Sequence, residues 1–106
     1  MEDLPEKIAI IKESILKNTS AKYIYLFGSY AYGQPTDKSD IDIYLVLPDN
    51  AGNILEIYGK IMVDLGIKKI FFVDLLLTRE KEFNIKKNEH LLERTVYQKG
   101  KMIYGY

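Results

Sequence analysis

Leu26-Phe27-Gly28-Ser29-Tyr30-Ala31-Tyr32-Gly33, followed by Ser39-Asp40-Ile41-Asp42-Ile43, is the stretch of this chain that decides the fold. Tyr23 to Phe27 reads as a strand, and Ser29 opens a short helix after the Gly28 turn. Ten residues separate Ser29 from Asp40, enough for that helix and a loop. Asp40 to Leu47 reads as a second strand, in which alternation sends Asp40 and Asp42 to one face and Ile41 and Ile43 to the other. The two acidic α-carbons then stand roughly 6.5–7 Å apart. Two carboxylates at that spacing can share a divalent ion or bridge a pair, and carboxylate oxygen with water and substrate phosphate is what Mg²⁺ prefers. The helix start at Ser29 presents free N–H groups and a positive dipole end, which suits a polyphosphate. Gly28 lets the backbone approach a ligand closely, and the Ser29 hydroxyl adds a donor.

Each part has a bland reading. A lone Gly-Ser is usually a turn, and a lone Asp-x-Asp a solvated strand face. The apolar run Ile41 to Leu47 argues otherwise, because unpaired charges within it are costly to bury and call for a counter-ion. A third acid belongs with them. Lys69-Ile70-Phe71-Phe72-Val73-Asp74-Leu75-Leu76-Leu77 is a near-continuous apolar run with Asp74 its only acid, close to the end. It predicts a strand from about Lys69 to Leu75, covered on both faces. Alone, Asp74 reads as a cap or strand-end residue. Beside Asp40 and Asp42 it completes a three-carboxylate cluster that can orient two metals and an attacking hydroxyl.

On Gly28, Ser29, Gly33, Ser39, Asp40, Asp42, Asp74 and the closing segment Glu93 to Tyr104, nearly the whole chain resembles a minimal nucleotidyltransferase domain of the DNA polymerase β-like superfamily. The resemblance implies transfer of a nucleoside monophosphate from a triphosphate to a hydroxyl, with release of pyrophosphate. It implies that Gly28 and Ser29, with Ser39, hold phosphate. It implies further that Asp40 and Asp42 ligate both metals, and that Asp74 ligates one and helps to activate the acceptor. Two Mg²⁺ ions, or Mn²⁺, are the implied cofactors and ATP the implied donor. Small members of the group are similar to antitoxins that silence a HEPN-type ribonuclease toxin by attaching AMP to a tyrosine. A HEPN-type toxin is therefore the implied partner and AMPylation the implied reaction. Function must still be argued from the site. Docking without catalysis, and transfer to a small-molecule hydroxyl, are the two alternatives. One departure is visible: many family members carry basic residues in the Gly-Ser helix, where this chain has Tyr30 and Tyr32. These tyrosines could stack on a base or face a partner.

Composition bounds the rest. At 106 residues the expectation is a single domain, residues 1–106, with one modest core, too small for a deep pocket around a small acceptor. Fifteen basic residues balance fifteen acidic ones, so there is no electrostatic footprint of a nucleic-acid binder. Absence of cysteine excludes disulfides and cysteine-based zinc sites. No apolar stretch approaches transmembrane length, and Met1-Glu2-Asp3 is unlike a signal peptide, so a cytoplasmic protein off the membrane is expected. A homo-oligomer is left open.

Asp3 can cap a first helix, with Pro5 in its first turn and Glu6 three residues on; Leu4, Ile8, Ile11 and Ile15 share one face. Ile54, Ile57, Tyr58, Ile61, Met62 and Leu65 mark a second long helix, stopped by Gly66. Thr78 to Lys87 and Asn88 to Gln98 read as helical, and Lys101 to Tyr104 as a closing strand. The second and third strands, linked through a helix, should be parallel; the resemblance implies that the first two are antiparallel. The expected fold class is mixed α and β (α+β): a nucleotidyltransferase fold with a small mixed sheet, helices mainly on one face, and the site on the other. His90 and the lysine pairs Lys86-Lys87 and Lys99/Lys101 read as solvated surface. Arg79 could reach a phosphate or a base, or form a surface ion pair with Glu82 or Glu80.

Overall fold

The computed structural model describes residues 3–36 and 38–105. Asp3 accepts a hydrogen bond from the Glu6 N–H at 3.0 Å and caps α1, Leu4–Asn18, with Pro5 in the first turn. Asn53 caps α3, Ile54–Ile67, in the same way through the Glu56 N–H. Ile11 and Ile15 of α1, and Ile57, Ile61 and Leu65 of α3, bury into one cluster, with Leu4 and Ile8 packed against it. The two helices are also joined by a polar contact: the buried Ser14 hydroxyl donates to the Asp64 carboxylate at 2.5 Å, and Lys17 and Lys68 pair with that carboxylate at 3.3 and 3.2 Å. Gly66 lies inside the last turn of α3 rather than ending it; the chain reverses at Lys69, whose φ is 59°.

Four strands form one sheet in the order β3-β2-β1-β4: β1 is Tyr23–Phe27, β2 Ile41–Leu47, β3 Val73–Arg79 and β4 Lys101–Tyr104. β1 runs antiparallel to β2 and β4, and β3 runs parallel to β2, as expected for a mixed sheet. Ile41, Ile43, Leu45 and Leu47 alternate onto the face covered by α1 and α3. Tyr44 and Val46 go to the second face with Tyr25 and Phe27. There α4, Glu80–Lys86, and α5, Leu92–Lys99, contribute Phe83 and Val96. Phe83 stacks at 5.8 Å on Tyr25 and lies 5.5 Å from Tyr44 between ring centres. The Tyr44 hydroxyl donates to Glu93 at 2.7 Å; burial, then that carboxylate, raises its pKa well above the usual phenol value. The long helices thus cover one face, as expected, and the two short ones cover part of the other.

The third strand differs from its expected span. Residues 69–72 are not strand: Ile70 is buried, Phe71 and Phe72 are 60% and 79% exposed, and Phe72 adopts a φ of 63°. A positive φ on a bulky residue is costly. It is held here because the Phe72 carbonyl accepts the Ile41 N–H at 2.9 Å, pinning the entry of β3 to the start of β2. An apolar run cannot by itself distinguish a strand from a turn whose aromatics face outward. β3 begins at Val73, so Asp74 stands near its start, not its end, and β3 is an edge strand.

Candidate active site

The later start of β3 is what assembles the acids. In the parallel register Asp42 is the partner of Asp74, and in the antiparallel register it is the partner of Phe27, the residue before Gly28. The end of β1 and the starts of β2 and β3 therefore meet at one end of the sheet. Asp42 alternates with the buried Ile41 and Ile43, so its carboxylate lies on the face opposite α1 and α3, where the site was expected. Asp42 is half-buried, while Asp74 and Asp40, the latter just ahead of β2, are exposed. The Asp42 pKa is raised by burial first, then by the Asp74 and Asp40 charges. The three acids feel one another.

Gly28 links the two halves of this end. It sits at φ 71°, ψ −153°, and a side-chain carbon added to it would overlap the Asp42 carboxylate. The helix α2, Ser29–Tyr32, follows at once; Ala31 and Tyr32 donate their N–H groups to the Gly28 carbonyl at 3.0 and 3.1 Å. Gly33 closes it for a steric reason, since a Cβ there would come within 2.8 Å of the Ser29 α-carbon. Ser39 is engaged in its own loop: its hydroxyl accepts the Thr36 N–H at 2.8 Å. A hydroxyl that accepts retains its proton to donate.

Among the described residues no three His, Cys, Asp or Glu side chains close around a point as a metal cage. Mg²⁺ does not need one. It is commonly bound through one or two carboxylates, with water and substrate phosphate filling the other positions. Mutually repelling carboxylates of Asp40, Asp42 and Asp74 fit that hard cation.

Other residues fall outside this end of the sheet. Arg79 is in no ion pair with a glutamate among the described residues: its guanidinium donates to the carbonyls of Ala51 at 2.7 Å and Gly52 at 2.9 Å, holding the loop after β2. His90 is exposed and lies 3.0 Å from Arg94. Lys86 pairs with Glu82, and the Lys87 ammonium lies 4.4 Å from the centre of the Tyr97 ring. Tyr32 is 41% exposed, Tyr30 and Tyr104 are half-buried, and Tyr106 lies outside the described residues. Lys7 and Lys38 were not singled out by the sequence. The fold brings them to one cavity of about 250 Å³ with Tyr30, Ser39, Phe71 and Phe72. No local signal marks such a convergence, because 30 residues separate the two lysines and only the packing of α1 unites them.

Residues 9–106 match the family described as "Polymerase beta, Nucleotidyltransferase". The chain is 32% identical over 83 residues to "Putative protein adenylyltransferase MJ0604" of Methanocaldococcus jannaschii, a match covering 78% of each. Its fold is similar to that of a crystal structure of a "putative nucleotidyltransferase" from Sulfolobus solfataricus, with a TM-score of 0.53 and 21% identity over 84% of this chain and 92% of that one. It is also similar to a chain of the MntA–HpeT toxin–antitoxin complex, with a TM-score of 0.55 and 19% identity over 99% of this chain and 75% of that one. That complex is a variant in which two aspartates, two positions apart, are replaced by glutamate.

Proposed function

This chain belongs to the polymerase β nucleotidyltransferase family, and we propose that it moves AMP from ATP to a hydroxyl of a partner protein, a HEPN-type toxin tyrosine, and so acts as an antitoxin. The observation that carries the chemistry is the meeting of Asp40, Asp42 and Asp74 with the Gly28–Ser29 turn at one end of the sheet. Asp40 and Asp42, with Asp74, would hold the divalent ions, which when bound neutralise the triphosphate and make its α-phosphorus electrophilic. Gly28 presents bare backbone to the phosphates, and Ser29, opening α2, adds its hydroxyl and its N–H. The acceptor oxygen forms a bond to the α-phosphorus. The bond from that phosphorus to the oxygen bridging to the β-phosphate breaks, pyrophosphate leaves, and the acceptor proton passes to the carboxylate cluster beside Asp74.

A protein acceptor is supported by the relative named as a protein adenylyltransferase and by the fold shared with a toxin–antitoxin complex. The exposed rings of Phe71 and Phe72, just ahead of Asp74, offer an apolar landing surface for such a partner. The test is co-expression with a HEPN-type toxin from the same organism, followed by intact-mass analysis of that toxin. A gain of one or more AMP groups on tyrosine is the expected result. A neutralised toxin of unchanged mass would replace this reading with neutralisation by docking.

A further inference from the structure

We propose that Lys7, Lys38, Phe71 and Phe72 form a docking pocket for an acidic segment of the acceptor protein, one that sets a carboxylate against the lysines and an apolar side chain against the rings. This rests on the reading above that the acceptor is a protein, and it names the chemistry by which that protein is held. The pocket is separate from the acids. Ile41, which also lines it, turns its side chain to the face covered by α1 and α3, whereas the Asp42 carboxylate lies on the opposite face. The two are neighbours in the chain all the same. Ile41 stands between Asp40 and Asp42, and Phe72 lies two residues before Asp74, no more than about 7 Å away along the backbone. A partner seated in the pocket is held beside the site without occupying it.

Charge favours an acidic occupant. Lys7 from α1 and Lys38 from the loop before β2 line the cavity together; among the described residues no Asp or Glu lines it with them, and neither ammonium is in an ion pair. The chain as a whole carries equal numbers of acidic and basic residues, so this is a local excess and not the broad positive field of a nucleic-acid binder. At about 250 Å³ the cavity is smaller than a usual small-molecule pocket and of a size for side chains. The rings carry the second argument. Phe71 and Phe72 are adjacent, large and exposed, an apolar pair that the fold itself does not bury. Phe72 also keeps φ at 63°, which glycine would adopt without cost. Its main-chain duty, accepting the Ile41 N–H at 2.9 Å, needs no side chain. A bulky residue held in that conformation with its ring in water is accounted for by a surface that covers the ring. An apolar cover also dries the adjoining lysines and strengthens their pairing with a carboxylate.

The experiment uses the full chain and a purified HEPN-type toxin from the same organism. Zero-length carbodiimide coupling, which joins an ammonium to a carboxylate in contact with it, is followed by peptide mapping. Toxin affinity is measured for the Lys7→Gln, Lys38→Gln double variant, for Phe72→Gly, and for Lys60→Gln on α3 as the control for loss of any surface cation. The expected results are a crosslink from Lys7 or Lys38 to an Asp or Glu of the toxin, and a loss of at least about tenfold in toxin affinity for the double variant, the size of one charge-assisted contact, with ATP affinity unchanged. Phe72→Gly should lose toxin affinity while melting no lower than the wild type, because glycine relieves the positive φ. A complex in which neither lysine crosslinks, or a folded double variant that binds the toxin as the wild type does, overturns the pocket and leaves the transfer reading standing. A complex held through these residues whose toxin gains no AMP keeps the pocket and removes the reaction. No complex with the wild type overturns both. Labelled oligouridylate that binds through the two lysines in place of the toxin overturns the pocket in favour of an RNA surface.

Discussion

Gly28 and Asp42 face each other so closely that one methyl group on Gly28 would take the space of the Asp42 carboxylate. The turn proposed to hold phosphate and the strand proposed to hold metal are therefore a single steric unit. Gly28→Ala should destabilise the fold by roughly 1–3 kcal/mol, from the positive φ and the overlap together, and should displace Asp42 enough to stop transfer. Urea melts with a parallel transfer assay check it; a variant with wild-type stability and activity would show that the contact is unimportant.

Asp42→Asn should act oppositely on stability and activity. Burial, then Asp74, then Asp40 raises the Asp42 pKa. A carboxylate whose folded pKa exceeds its unfolded one stabilises the protonated fold at low pH, and stability falls as pH rises through that range. At neutral pH the charge is a cost that Asn does not carry. The metal-free variant should melt higher than the wild type, Mg²⁺ should raise the wild-type Tm only, and transfer should fall on the order of 10³-fold. Thermal melts with and without Mg²⁺ decide the first two points. Wild-type transfer by the folded variant would remove Asp42 from the mechanism.

The link between α1 and α3 should show in acid. The Ser14 hydrogen bond, then Lys68 and Lys17, lowers the Asp64 pKa from 3.8 to about 2. A depressed carboxylate contributes stability that is full above its unfolded pKa and is lost as pH falls through its folded one. The stability gap between the wild type and Asp64→Asn should be constant above about pH 5 and close toward pH 2. Denaturant melts across that range measure it; a gap independent of pH would mean that the contact is structural but not ionic.

Much of this was legible before the fold was seen. The Asp3 cap, the apolar stripes of α1 and α3, and the helix start at Ser29 follow from local chemistry and period, while the antiparallel pairing of β1 with β2 was implied by the family resemblance. What was not legible depended on backbone reversal and on long-range packing. Lys69 and Phe72 take positive φ inside an apolar run, which moved β3 by four residues and placed Asp74 at the start of its strand. Arg79 turned to loop carbonyls that only the tertiary fold brings near, and Lys7 met Lys38 for the same reason.

The most direct test of nucleotidyl transfer uses purified chain and toxin partner, Mg²⁺, and ATP labelled either at the α- or at the γ-phosphate. Wild type is compared with the Asp40→Asn, Asp42→Asn double variant. The predicted result is label on the partner from the α-phosphate alone, lost in the double variant and lost on chelation of the metal. Label from the γ-phosphate, or α-label that survives loss of both aspartates, would contradict it.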